Sequence, residues 1–411
     1  MKIMLLVEEL GIGGLPNYVL DLARALNAHG DHTLVAHQGA QVPAHLDCSG
    51  VELLGLGDAQ SPRHALERIQ AWGPDLVHVH LCSDSGLLAT LLDSELPLMR
   101  SFHDYTSMCL RRGRRRFSGD RCQRPLGWSC ALNGCLIGPP RAGGRLPQLM
   151  DLAGKINERG MYQRFRGAVV GSQHMGRVLR INGFADERIH VVPYFSRFDQ
   201  QAQQPQPAGK PALTGRPVQL MFAGQAVKGK GLEVLVKALA EVKGDWRLVA
   251  ISSGPRLASA RGLADKLHLS SRITFIDWLA SEQLTEHYRA ADLFVLPSVW
   301  DDPGPLVGIE AMAFETPVLA FAVGGIPDYV REGQTGLLVT EVSAKGLAAG
   351  VQRALDAPER LAVLGQAARE WVKSNHSRAG HIRALRTLYE QCADNVQAHP
   401  SQELIAGSLS L

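Results

Sequence analysis

The stretch Pro297-Ser298-Val299-Trp300-Asp301-Asp302-Pro303-Gly304-Pro305-Leu306-Val307-Gly308-Ile309-Glu310-Ala311-Met312-Ala313, with Gly324-Gly325-Ile326-Pro327-Asp328 beyond it, decides the reading of this chain. An apolar run of strand length precedes it, so the order is strand, turn, acid-bearing loop, short helix and a Gly-Gly turn. Asp302 stands in the loop and Glu310, eight residues on, lies about one turn into the helix. Amide groups at a helix N-terminus attract phosphate through their unpaired N–H bonds and the positive end of the dipole. A carboxylate on the same opening accepts hydrogen bonds from vicinal hydroxyls. Together these groups suit a sugar joined to a nucleoside diphosphate.

Outward from that stretch, strand-length apolar runs alternate with helical patterns, as in parallel α/β sheets. The expected strands are 2–7, 33–37, 75–80, 98–102, 168–170 and 189–192, then 218–223, 246–251, 273–276, 293–296, 318–321 and 336–339, with a helix over 17–28. Residues 196–217, rich in Pro and Gln, interrupt the series and read as a linker. At 411 residues and 45% apolar content the chain can hold two cored domains. A formal charge of +3 does not suggest a nucleic-acid binder. No apolar run reaches membrane-spanning length and no signal peptide is evident at the N-terminus, so a soluble cytoplasmic protein is expected.

Several clusters carry candidate chemistry. Gly224-Gln225-Ala226-Val227-Lys228-Gly229-Lys230-Gly231 ends a strand and opens a helix, converging amides and ammonium groups on one point. Gly11-Ile12-Gly13-Gly14 follows the first strand and lets the backbone approach a ligand, but lacks the full dinucleotide fingerprint. His103 ends the strand 98–102; His78 and His80 read as strand residues rather than metal ligands. Cys109, Cys122, Cys130 and Cys135 lack the paired spacing of a typical zinc site and are expected to be reduced thiols. Arg111, Arg112, Arg114, Arg115 and Arg116 form either a solvated loop or a patch for anionic lipid headgroups or a polyprenyl diphosphate.

The acid-x7-acid stretch and the Gly-Lys turn resemble the signature of retaining glycosyltransferases of glycosyltransferase family 4. The resemblance covers about residues 2–390. It implies an α/β protein of the GT-B fold, two Rossmann-like doubly wound domains facing each other across a cleft. The expected organisation is an acceptor domain at 1–195, the linker 196–217 and a nucleotide-sugar domain at 218–370. A helix at 371–392 crosses back to the first domain, followed by a flexible tail at 393–411. It further implies His103, Lys230 and Asp302 as catalytic residues. Gly13, Gly14, Gly224, Gln225, Gly254, Trp278, Gly304, Leu306, Val307 and Glu310 would complete the donor site, with Glu310 on the ribose. Asp302 stands where the family usually has Glu, and Gln225 where it has Arg, a change from a bidentate cation to a neutral donor. The implied reaction moves a sugar from a GDP- or UDP-sugar to an acceptor hydroxyl, with retention, no cofactor and no metal. Polysaccharide, lipopolysaccharide or another glycoconjugate is the implied product. An inactive scaffold and a sugar-nucleotide epimerase are the alternatives.

Overall fold

Each of the twelve expected strands forms. The computed structural model describes residues 1–11, 14–44, 46–116, 120–138, 147–204, 215–277, 279 and 281–394. In chain order the strands are β1 Lys2–Val7, β2 His32–His37, β3 Glu52–Gly55, β4 Leu76–Val79, β5 Leu98–Phe102, β6 Ile137–Gly138, β7 Gln148–Leu149, β8 Gly167–Val170 and β9 Ile189–Val191. Then follow β10 Val218–Ala223, β11 Trp246–Ile251, β12 Ile273–Ile276, β13 Leu293–Leu296, β14 Val318–Phe321 and β15 Gly336–Val339. One sheet runs β3-β2-β1-β4-β5-β8-β9 and a second β12-β11-β10-β13-β14-β15, while β6 and β7 form a small antiparallel pair. The order of the first six strands of each half is that of a doubly wound nucleotide-binding sheet. Helices cover both faces of such sheets, which is why strands such as β1, β13 and β14 read as unbroken apolar runs rather than as alternation. The short strand β3, half-exposed along most of its length, carries no such run.

The chain separates into two compact units: Met1–Ser101 with Arg164–Ala168 and Ile382–Leu411, and Phe102–Gln163 with Val169–His381. The boundaries fall inside β5 and β8. In the first unit the helix Gly14–Ala28 follows β1 and buries Val19, Leu20, Leu22, Ala23 and Leu26. The C-terminal helix Arg378–Asp394, from Ile382 on, is fixed in the same unit. The fully buried Tyr389 hydroxyl meets His78 Nδ1 at 2.7 Å, and Arg386 reaches Asp31 at 2.9 Å. His78 Nε2 lies 2.9 Å from Ser101 Oγ, so this histidine is a buried hydrogen-bonding element of β4.

In the second unit the core of the β10–β15 sheet gathers Phe222, Trp246, Tyr288, Phe294, Phe314 and Phe321. Burying a side chain of this kind contributes about 1.5–3 kcal/mol. Tyr288 and Phe314 stack with planes 7° apart. The helix Leu306–Ala313 packs within this core, and residues 308–313 are all buried. Gly308 is required there, because a Cβ would stand 2.5 Å from the Tyr329 hydroxyl. No helix among the described residues is long and apolar enough to cross a membrane.

Candidate active site in the second unit

Two loops at the carboxyl ends of neighbouring strands build the site. After β10 the chain makes a single 3-10 turn, Lys228–Lys230, and then Gly231 adopts φ 75° to open the helix Leu232–Leu239. A Cβ on Gly231 would sit 1.9 Å from the Pro297 carbonyl, so that position admits only glycine. The loop after β13 is zipped to this turn: Val299 N–H donates to the Gly229 carbonyl at 2.8 Å and the Trp300 ring lies against Gly229. This contact brings Lys230 Nζ to 2.5 Å from Asp302 Oδ2, with the two side chains 34% and 12% exposed. Ser298 Oγ stands 3.4 Å from the same oxygen. The Gly324-Gly325 turn closes behind: Gly325 N–H donates to the Asp302 carbonyl at 2.7 Å, and a Cβ on Gly324 would fall 2.1 Å from that oxygen. Asp328, just beyond, caps the helix Gln173–Ile181 by accepting from Gln173 N–H at 2.7 Å.

Pro305 precedes the helix Leu306–Ala313 and gives it no side-chain cap. The first N–H groups of such a helix, those of Leu306 and Val307, lack intrahelical acceptors. Glu310 follows on the same helix and is 2% exposed. Arg197 Nε donates to its Oε1 at 2.8 Å and the Tyr288 hydroxyl donates to its Oε2 at 2.9 Å. Burial, followed by the Glu310 charge, holds the Tyr288 phenol well above its ordinary pKa, so it remains a donor.

His103 leaves the end of β5, half-buried, with Nδ1 2.9 Å from the Tyr194 hydroxyl and the two rings nearly parallel. Burial, reinforced by Asp104 and Asp302, raises the Tyr194 phenol beyond its usual range. The Tyr194 ring fills space left open by two glycines. A Cβ would approach it within 2.1 Å at Gly171 and 3.3 Å at Gly304. The structure therefore groups His103, Lys230, Asp302, Gly304, Leu306, Val307 and Glu310 in one unit, with the lysine-acid pair and the helix N-terminus on one loop system.

The remaining candidates take varied places. Gly224, with φ 153°, accepts from Ser252 Oγ at 2.7 Å. Gly254 packs beside Ala226, and Gln225 and Lys228 are exposed. Gly14 opens the first helix of the other unit and is exposed. Gly13 and Trp278 lie outside the described residues.

Two expectations about the segment 102–163 are refined. The arginine run is not one outward patch: Arg114 is buried with its guanidinium 6.0 Å from the Tyr105 ring centroid, and Arg115 donates to the Val299 carbonyl. Only Arg112 of the five is exposed. The run bends back through an antiparallel bridge to Arg121, which pairs with the buried Asp301 at 2.8 Å. Desolvated carbonyls and a buried carboxylate on the loop 299–301 outcompete solvent for these cations. All seven cysteines are free thiols, and burial raises the pKa of Cys109 and Cys135. Among the described residues no group of three or more His, Cys, Asp or Glu side chains is arranged to hold a metal.

Sequence reasoning missed Tyr194, Arg197, Tyr288, Asp301 and Arg121. Asp301 adjoins the recognised acid and was in view. The others carry no motif, and only the folded chain brings them to the site.

Comparison with known proteins fits this geometry. The model of glycosyltransferase family 4 matches residues 12–195, and that of glycosyl transferases group 1 matches residues 205–371. The chain belongs to glycosyltransferase family 4 and has the GT-B fold. It is 33% identical to D-inositol 3-phosphate glycosyltransferase 2 of Catenulispora acidiphila over 203 residues, 46% of each chain. The match thus spans about half the length of that relative. A glycosyltransferase from Rickettsia africae superposes with a TM-score of 0.72 at 16% identity, covering 96% of this chain and 99% of its own. HepE of Anabaena, solved in complex with UDP and glucose, superposes with a TM-score of 0.68 at 16% identity, over 97% of this chain and all of its own.

Proposed function

We propose that the chain is a retaining, metal-independent glycosyltransferase that moves a sugar from a nucleoside diphosphate to an acceptor hydroxyl. The observation that carries this reading is the Lys230–Asp302 pair at 2.5 Å beside the uncapped start of the helix Leu306–Ala313. A half-exposed ammonium and a set of main-chain donors suit a diphosphate leaving group, whose developing charge they would stabilise. Asp302, released from Lys230 when phosphate takes the ammonium, would accept from sugar hydroxyls. His103, held by Tyr194, would face the sugar, and Glu310 the ribose. In this mechanism a leaving-group oxygen assists removal of the acceptor proton on the face from which the donor departs.

The UDP of the Anabaena neighbour makes a uridine donor the first to test, and the name of the inositol relative places phosphorylated polyols on the acceptor panel. The test is a screen of UDP- and GDP-sugars with such acceptors in EDTA, reading nucleoside diphosphate release and the anomeric configuration of the product by NMR. Transfer with retained configuration is expected. An inverted product, or a strict need for magnesium or manganese, would overturn the mechanism.

A lipid-linked acceptor, met by a cytoplasmic enzyme at the inner membrane face in polysaccharide or lipopolysaccharide assembly, completes the reading. With Arg114 buried and Arg115 bonded to Val299, its support is instead apolar: Trp128, Leu132 and Leu149 are 82%, 87% and 81% exposed. Trp128 and Leu149 border an apolar cavity of about 680 Å³ that also involves Leu136, Met150 and Ile156. Exposed bulky side chains of this kind mark contact surfaces.

A further inference from the structure

The carboxylate of Glu310 is too thoroughly partnered to be an ordinary surface acid. It is 2% exposed, and each oxygen accepts one hydrogen bond from the protein, Oε1 from Arg197 and Oε2 from Tyr288. A carboxylate offers about two acceptor positions on each oxygen. Both protein donors therefore leave one position on each oxygen, the pattern that two adjacent hydroxyls would fill. Both donors also sit on rigid supports. Tyr288 is fully buried, stacked on Phe314. Arg197 leaves the segment 193–198, which is clamped in turn: His381 and His376 donate from Nδ1 to the Pro193 and Tyr194 carbonyls, both at 2.7 Å, and Ser196 N–H donates to the His376 carbonyl at 3.3 Å. A planar guanidinium held in this way fixes the rotation of a carboxylate, which a lysine ammonium does not.

We propose that Arg197, with Tyr288 as its counterpart, is the positioning residue that sets Glu310 to read a vicinal diol, and so determines the preference for ribose over 2′-deoxyribose in the nucleotide. This rests on the assignment of the nucleotide diphosphate site in the preceding subsection. Arg197 acts through Glu310 and does not itself touch the ligand.

The test is titration calorimetry of the full chain with UDP and GDP and with their 2′-deoxy counterparts, for the wild type, Arg197→Met, Arg197→Lys and Tyr288→Phe. Circular dichroism and thermal melts report folding. The wild type is expected to bind one ribonucleotide on the order of tenfold or more tighter than its deoxy form, the scale of one well-placed hydrogen bond to a charged group. Arg197→Met is expected to weaken the ribonucleotide toward the deoxy affinity while leaving the deoxy affinity within about twofold, and Tyr288→Phe to do so less. Arg197→Lys is expected to restore part of the discrimination. A merely structural role would weaken both nucleotides alike, and that result overturns the proposal. Tighter ribonucleotide binding in Arg197→Met also overturns it, because Arg197 would then be competing with ribose for Glu310. Should Arg197→Met fail to fold, the ratio in Arg197→Lys and Tyr288→Phe decides, and wild-type discrimination in both overturns the proposal. A wild type that binds none of the four nucleotides removes the nucleotide site and this inference with it. A wild type that discriminates, with unchanged ratios in all variants, removes this inference alone.

Discussion

The two acids of the site, eight residues apart in the chain, stand in opposite surroundings. Asp302 is on a loop, paired with a single flexible lysine and partly open to water. Glu310 is on a buried helix, held by a guanidinium and a phenol that are themselves fixed. An ion pair near the surface has a small net energy, so its members can change partners when a ligand arrives. A desolvated carboxylate with a fixed donor on each oxygen cannot do so cheaply, because each abandoned donor would lose that acceptor. The contrast matches the proposed roles, partner exchange at one end of the candidate site and rigid recognition at the other.

Removing the exchanging cation has the largest expected effect on activity. Lys230→Met should lower kcat/KM for a nucleotide sugar by about 100- to 1000-fold, the loss seen when one stabilising donor leaves a reacting oxyanion. Its effect on stability should be below about 1 kcal/mol, since the pair is partly solvated. Steady-state kinetics and urea unfolding measure the two halves of this prediction. A large drop in stability would show that the loop end is as rigid as the helix end.

The segment that carries Arg197 should loosen in acid. Burial depresses the His381 pKa to about 4, despite the opposing hydrogen bond to the Pro193 carbonyl, and His376 shifts in the same direction for the same reason. A histidine buried neutral binds its proton only in the unfolded chain between the unfolded and folded pKa values. The stability it contributes is therefore complete above about pH 6.5 and declines as pH falls toward 4, at no more than about 1.4 kcal/mol per pH unit and on the order of 3 kcal/mol in all. His381→Asn, which keeps a donor for the carbonyl, should flatten that decline. An unfolding free energy with the same pH slope in both proteins would exclude His381 as the cause.

At the rigid end, Glu310→Ala leaves Arg197 and Tyr288 without their common acceptor. Breaking a buried pair costs about 3–5 kcal/mol, and the partial exposure of Arg197 reduces this to about 2–3 kcal/mol in unfolding experiments. A loss equal to that of Lys230→Met would erase the distinction between the two ends. The smallest effect on folding belongs to the exposed apolar group. Replacing Trp128, Leu132 and Leu149 together by Ser should change stability by less than about 1 kcal/mol, while reducing sedimentation with anionic vesicles if that surface meets lipid. Equal vesicle binding by both proteins would count against the lipid contact.

The sheets were legible because parallel strands buried on both faces leave continuous apolar runs, as at β1, β13 and β14. β3 escaped because four residues on a half-exposed edge leave no period to detect. In the site, Lys230, Asp302 and Glu310 were readable since glycines and a helix start fix their places along one stretch of chain. Arg197 and Tyr288 were not, because single residues far apart in sequence meet Glu310 only after the sheet is assembled. The partners of the arginine segment were hidden for a related reason. Charge spacing tells where cations are, but the acceptor of Arg115 is the Val299 carbonyl and that of Arg121 the Asp301 carboxylate, some 180 residues away.

The most direct measurement is release of nucleoside diphosphate from a panel of UDP- and GDP-sugars by the wild type and Lys230→Met, each verified as folded. Sustained release from at least one donor by the wild type, falling at least 100-fold in the variant, is the predicted result. Equal release by the two proteins, or none from any donor by the wild type, would contradict the claim that this loop system holds the leaving diphosphate.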